Sequence, residues 1–218
     1  RIRPEDYRQP NGGVIFPNPN APTGIFMETE QVEEIIANNR DVVVIVDEAY
    51  IDFGGVSVLP LIEKYDNLLV VQTFSKSRAM AGMRIGYAMG NPKLIKYMND
   101  VKYSVNSYTM NYAALQLGAE SVKDVAYFKE CCNKIVKTRN RAEQELTRLG
   151  FTFPKSSANF IFASHRKVPA GEIFRKLKEK GIYVRHWDKD RIGNYLRITI
   201  GTDEQMETFY QALETILQ

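Results

Sequence analysis

The chain has 218 residues, 44% of them hydrophobic and 25% charged, with 14 Gly and 9 Pro. That length admits one ordinary domain or one with a smaller companion, and the composition is neither collagenous nor disordered. Lys and Arg total 29 against 26 Asp and Glu, leaving +3 with the signs interspersed; a nucleic-acid surface would need a concentrated basic face. The longest apolar run, Val42 to Val46, is far short of the roughly 20 residues that span a bilayer. Arg1 to Asp6 lack the apolar core of a secretory signal. Cys131 and Cys132 are adjacent and have no distant partner, which excludes a disulfide framework and points to a reducing, cytoplasmic compartment. His165 and His186 stand far apart without ligand partners, so no metal site is expected. The chain lacks an initiator Met and starts in charged, turn-rich sequence, so it is expected to be the tail of something longer.

In chain order, Val14 to Phe16 reads as a short strand entering the turn-rich stretch Pro17 to Gly24. Gln31 to Asn38 places Val32, Ile35 and Ile36 at helical spacing. Val42 to Val46 is a continuous β-branched run, the mark of a strand buried on both faces of a parallel sheet. Leu68 to Val71 and Ile85 to Met89 are further strands, and Leu59 to Tyr65 and Pro92 to Val101 read as helices. Asn91-Pro92 starts the latter with a cap and a proline at the first helical position. This alternation is the grammar of a helix-covered, mostly parallel sheet. Beyond Tyr108 the pattern changes. Met110 to Ala119 and Val122 to Leu149 are helical, and short strands follow at Phe160 to Ala163, Tyr183 to Arg185 and Tyr195 to Ile200, with a helix at Ala170 to Lys180. Thr202-Asp203-Glu204-Gln205 is a capping box opening a last amphipathic helix. The expected organisation is α/β over 1–108, followed by a smaller α+β domain over 109–218.

Chemistry-bearing residues cluster at the carboxyl ends of the first strands, where open α/β sheets place ligands. These are Asn18-Pro19-Asn20-Ala21-Pro22-Thr23-Gly24, then Asp47-Glu48-Ala49-Tyr50, then Thr73-Phe74-Ser75-Lys76, then Arg84. A carboxylate ending a buried strand is costly unless it meets a cation or donors, so Asp47 is either a structural ion pair or the partner of a cationic ligand. Desolvation and neighbouring positive charge turn a lysine into a usable nucleophile. Ser75, Thr73 and Arg84 offer hydroxyl donors and a planar fork suited to a phosphate. A nucleophilic lysine, a phosphate cup and a strand-end aspartate together match pyridoxal 5'-phosphate: Lys76 would carry it as a Schiff base and Asp47 would keep its pyridine nitrogen protonated. Tyr50, three residues past Asp47, would reach the ring's phenolate oxygen together with the amide of Asn20.

These motifs resemble those of the fold-type I, class I/II aminotransferases, most closely the histidinol-phosphate branch. The resemblance rests on Pro17 to Gly24, Val46 to Ile51, Thr73 to Lys76, Ala81 to Tyr87 and Leu196 to Thr202, all in order and in register. It implies a PLP-binding large domain, of which part is present, and a smaller C-terminal domain. It implies that Lys76 holds the cofactor and shuttles the proton, that Asp47 meets the pyridine nitrogen, and that Tyr50 and Asn20 meet the phenolate oxygen. Thr73, Ser75 and Arg84 would bind the cofactor phosphate. Arg197 would grip the amino-acid carboxylate, Asn159 would line the same substrate pocket, and Arg185 would meet the phosphate of histidinol phosphate.

The implied reaction joins histidinol phosphate and 2-oxoglutarate to give imidazole-acetol phosphate and L-glutamate, in a homodimeric enzyme acting on small molecules without nucleic acid or membrane. Threonine-phosphate decarboxylase and an aromatic aminotransferase share most of these motifs. A reading of another class is the aminotransferase-like sensor domain of a transcription regulator. Two departures stand out: Ala21 occupies a place where many relatives have a second asparagine, and the long segment that precedes Pro17-Asn18-Pro19-Asn20 in the family is missing. The expectation is therefore a truncated chain with exposed apolar edges. Tyr103, Tyr108 and Tyr112 are expected to pack at the domain junction or line the pocket. Trp187 either packs in the core or borders the substrate's imidazole.

Overall fold

The structure, a computed structural model, describes residues 3–218. The chain divides into two compact units, one holding the chain up to Pro19 with Phe26–Lys129, the other holding Asn20–Ile25 with Glu130–Gln218. The division falls inside a long helix, between Lys129 and Glu130. None of the helices among the described residues is long and apolar enough to cross a membrane.

The first unit is built on a four-stranded sheet in the order β1 (Val14–Pro17), β2 (Val44–Asp47), β3 (Leu68–Thr73), β4 (Gly86–Gly90). β1 to β3 are parallel, with Val44 opposite both Val14 and Leu68. β4 departs from the parallel pattern: it runs antiparallel to β3, pairing Thr73 with Gly86 and Leu69 with Gly90. The reason is the connection. Residues 74–85 hold a short 3-10 turn at Ala81–Met83 but no α-helix, and a parallel return needs a crossover element. Leu59–Glu63 is likewise a 3-10 turn instead of the expected helix, with Pro60 in its first turn.

Helix α1 (Thr29–Asn38) buries Val32, Ile35 and Ile36 against Val14, Phe16, Val44, Val46, Leu68 and Val70. Those strand residues alternate along each strand and therefore share one face. Fully burying each such side chain stabilises the fold by about 1.5 to 3 kcal/mol. The opposite face is not covered in the same way. Ile15 of β1 is 70% exposed and Ile45 of β2 half-buried, whereas Leu69 of β3 is 6% exposed, so burial on both faces holds at β3 and fails at the β1 edge. Helix α2 (Pro92–Val105) is capped by Asn91, whose side chain accepts from the Lys93 N–H at 2.9 Å, yet it buries no residue. Helix α3 (Tyr112–Lys123) packs Ala114 on Phe74 and Ile85. A Cβ at Gly118 would meet Ile85 Cδ1 at 2.8 Å, so this helix lies close against the β3–β4 connection and a larger residue there would displace the Ile85 side chain. Tyr103, Tyr108 and Tyr112 are exposed instead of packed, Tyr108 at 94%.

Helix α4 (Val125–Arg148) leads into the second unit, whose sheet has the order β5 (Phe151–Thr152), β6 (Phe160–His165), β8 (Leu196–Thr199), β7 (Arg185–His186). All its pairings are antiparallel. Helices α5 (Ala170–Glu179) and α6 (Asp203–Leu217) join the end of α4 in covering one face, where Leu146, Ile161, Ile173, Leu177, Leu196, Ile198 and Leu213 form the core. Thr202 caps α6 with both bonds of the capping box, its hydroxyl accepting from the Gln205 N–H and its own N–H donating to Gln205 Oε1. Such a cap contributes about 1 kcal/mol.

Candidate active site

The carboxyl ends of β1, β2 and β3 lie side by side. The Asn18 N–H donates to the Asp47 carbonyl at 2.9 Å, and the Glu48 N–H to the Val71 carbonyl at 2.8 Å. Asn18 itself is buried and spent on structure, its carboxamide pairing both ways with the Met27 backbone at 3.0 and 2.8 Å. Asp47 is half-buried. One carboxylate oxygen accepts the Ala49 N–H at 3.0 Å; among the described residues the other has no hydrogen-bond partner and the group makes no ion pair. A strand-end carboxylate left this way suits a cationic ligand better than a structural ion pair.

Lys76 is exposed, and its Nζ stands 5.5 Å from the centre of the Tyr50 ring, within cation–π range. It makes no hydrogen bond or ion pair among the described residues, so its amine is available to a ligand. Its loop is held on both flanks. Ser77 donates to Asp52 Oδ2 at 2.5 Å, and Arg78 donates to the Ser121 carbonyl at 2.5 Å while covering the Phe74 and Phe128 rings. Ala79 beside them has φ 53°, a left-handed backbone unusual for a residue with a side chain. Arg84 also lies there, at φ 56°, and is exposed, one guanidinium N–H donating to the Ala81 carbonyl at 2.8 Å. The Thr73 hydroxyl is committed: it donates to the Ile85 carbonyl at 3.2 Å and accepts the Ser75 N–H at 3.1 Å. Of the three groups expected at a phosphate, Ser75 and Arg84 keep unspent donors.

Beneath Asp47, Glu48 points the other way and is buried. It accepts from the Ser57 hydroxyl at 2.7 Å, the Val58 N–H at 2.8 Å and Gln72 Nε2 at 2.8 Å. Burial pushes its carboxyl above the usual range in spite of those three donors. Glu48, Asp52, Ser77 and Arg78 have no role in the expectations above. The available signal was proximity: each is within two residues of Asp47, Tyr50 or Lys76.

The remaining expected residues belong to the second unit. Asn20 takes a turn in which Thr23 Oγ1 donates to its Oδ1 at 2.6 Å and Gly24 N donates to its carbonyl, leaving the carboxamide N–H groups to a ligand. Gly24 has φ +75°, and a Cβ there would strike Ser156 Oγ at 2.5 Å, so the turn requires glycine. The half-buried Asn159 accepts the Ile200 N–H on its backbone carbonyl at 2.9 Å, just before β6. Arg197 is partly buried in β8, with a shielded Nε that finds no acceptor among the described residues; the exposed Arg185 lies directly opposite on β7.

A histidinol-phosphate aminotransferase of Brachyspira hyodysenteriae is 50% identical over 214 residues, which is 98% of this chain and 60% of that protein. The crystal structure of the histidinol-phosphate aminotransferase from Clostridium acetobutylicum matches 94% of the chain with a TM-score of 0.85 at 26% identity, covering 64% of its own length. That of the enzyme from Sinorhizobium meliloti, in complex with pyridoxal-5'-phosphate, matches 94% with a TM-score of 0.86 at 25% identity, over 57% of its length. The chain thus spans about 60% of the length of the curated relatives it matches. The family model for aminotransferase class I and II matches residues 2–213, and the chain belongs to that family.

Proposed function

We propose that the complete protein is a pyridoxal-phosphate-dependent aminotransferase that converts histidinol phosphate and 2-oxoglutarate to imidazole-acetol phosphate and L-glutamate, a step of histidine biosynthesis. The single observation that carries the reading is the strand-end pair of an amine without an ion-pair partner, Lys76 beside Tyr50, and a carboxylate with one unspent oxygen, Asp47. The donor set fits the cofactor. Asp47 offers a carboxylate for a pyridinium, Ser75 and Arg84 offer donors for a phosphate, and Lys76 offers a primary amine for an aldehyde. When bound, pyridoxal phosphate supplies an electron sink for the pair left at the substrate's Cα. The protein's part is to hold and orient. Lys76 Nζ takes and returns the Cα proton, Tyr50 and Asn20 donate to the phenolate oxygen, and Asp47 holds the ring nitrogen protonated. On the substrate side Arg197 and Asn159 hold the carboxylate and Arg185 the phosphate. The chain up to about residue 108 is read as part of the cofactor-holding domain and the remainder as the small domain, in a cytoplasmic homodimer acting on small molecules.

The test is the Lys76→Ala variant of the complete protein. It is expected to lose the yellow absorbance of bound cofactor and turnover by at least about a thousandfold, the scale of removing a covalent catalyst. Undiminished turnover would overturn the assignment, as would carbon dioxide release by the parent protein with no keto-acid acceptor.

A further inference from the structure

The second sheet has one aliphatic face and one of a different kind. Ile161, Ala163, Leu196 and Ile198 enter the helix-covered core, so the residues between them point the other way. There Phe162, Arg197 and Arg185 form one row across β6, β8 and β7. Two arginines directly opposite on paired strands repel each other. Neither makes an ion pair among the described residues.

What stands against both is one ring. The Arg185 guanidinium lies 5.3 Å from the centre of the Trp187 ring and that of Arg197 5.6 Å, with Arg197 also 5.1 Å from Phe160. Phe162 braces the indole edge-on at 6.3 Å and is itself stacked on Tyr195 at 4.6 Å. Each guanidinium keeps its planar edge of donors, because a π face engages the cation and not the N–H fork. An ion pair with a carboxylate would have stabilised the charges equally well but used those donors.

We propose that Trp187 is a positioning residue that holds the two guanidinium groups at a set spacing, one ready for a phosphate and the other for a carboxylate. It thereby favours small substrates whose anionic end, a phosphate in one and a carboxylate in the other, reaches its own guanidinium. The inference rests on the reading of Arg185 and Arg197 as substrate-binding residues, and it concerns the second unit alone.

Trp187 is the single tryptophan of the chain, so its emission reports on this site without labelling. Titrating the protein with inorganic phosphate and, separately, with glutarate is expected to change that emission saturably. Arg185→Gln should abolish the phosphate response and Arg197→Gln the glutarate response. By calorimetric titration, Trp187→Leu should weaken both anions roughly two- to five-fold, the weight of one cation–π contact at a half-exposed site, while Trp187→Phe, which keeps a π face, restores most of the loss. Emission indifferent to both anions, or a Trp187→Leu variant that binds both as the parent does, would overturn the proposal. Should Trp187→Leu fail to fold, the parent's emission and the Trp187→Phe affinities still decide. No cofactor enters the titration, so failure of the aminotransferase reading would show separately, as a Lys76→Ala variant with full turnover.

Discussion

The two sheets differ in what lies on the face away from their packed helices. In the first unit that face stays aliphatic, with Ile15 70% exposed, and α2 adds Tyr97, Met98, Val101 and Val105 to the exposed apolar surface. In the second unit the corresponding face carries arginines and rings that already engage one another. Exposed aliphatic surface of that extent marks a packing face, because water gains nothing from it and only burial makes it useful. Guanidinium groups braced by aromatic rings and lacking carboxylates keep their hydrogen-bond donors unspent. The first unit therefore combines a helix-covered core with exposed aliphatic residues, whereas the second combines a closed core with a face of guanidinium groups and rings.

The contrast is first a matter of stability. Leu213, fully buried under the second sheet, is expected to cost about 2 to 5 kcal/mol as Leu213→Ala, since a cavity replaces its contacts. Ile15→Ala, on the bare side of β1, should stay within about 0.5 kcal/mol. Urea denaturation of the two variants measures both. Equal losses would mean that the first sheet's outer face is covered after all.

Much of this was legible in the sequence because its signals were local. Hydrophobic spacing marked α1, the β-branched runs marked β2 and β3, and Thr202 to Gln205 announced the start of α6. The strand-end motifs singled out Asp47, Lys76 and Arg84 as candidates because open α/β sheets present ligands there. What stayed hidden depended on pairings between distant residues. The direction of β4 follows from a connection without a helix, and the exposure of Ile15 from what fails to pack on it. The commitment of the Thr73 hydroxyl depends on the Ile85 carbonyl, twelve residues away. The Trp187 bracket needs Arg185 and Arg197 on adjacent strands in register, and no short window of sequence shows that.

Each unit also buries a polar group awkwardly, and in the first it is satisfied. Glu48 has three donors yet its carboxyl is raised by burial. A carboxyl raised on folding binds its proton more tightly in the native state. From the ordinary glutamate range up to the raised value, the folded state therefore holds more protons than the unfolded one, and stability falls as pH rises. Glu48→Gln removes this term at the fixed loss of one acceptor. The stability difference between variant and parent should move in the variant's favour as pH rises above the ordinary glutamate range, read from urea midpoints at each pH. A difference that stays flat, or moves the other way, would mean that the ionised carboxylate is the preferred buried form.

The second unit's counterpart is Tyr210, buried in the core with a hydroxyl that has no hydrogen-bond partner among the described residues. Burial, the largest cause, pushes its phenol up to about 12. An unpaired buried hydroxyl costs about 1 to 3 kcal/mol, part of which the ring's own burial offsets. Tyr210→Phe keeps the ring and deletes the misfit, so it should stabilise the protein by up to about 1 kcal/mol near neutral pH. The advantage should widen in alkali, because the unfolded parent ionises at the ordinary phenol value while the folded parent holds its proton until about 12. Parent stability therefore falls through that window and the variant's does not share this loss. Denaturation midpoints of the pair at neutral pH and above pH about 10 measure both effects. A destabilised Tyr210→Phe would show that the hydroxyl is satisfied in solution, and would make the second core as dependent on a polar contact as the first is on those around Glu48.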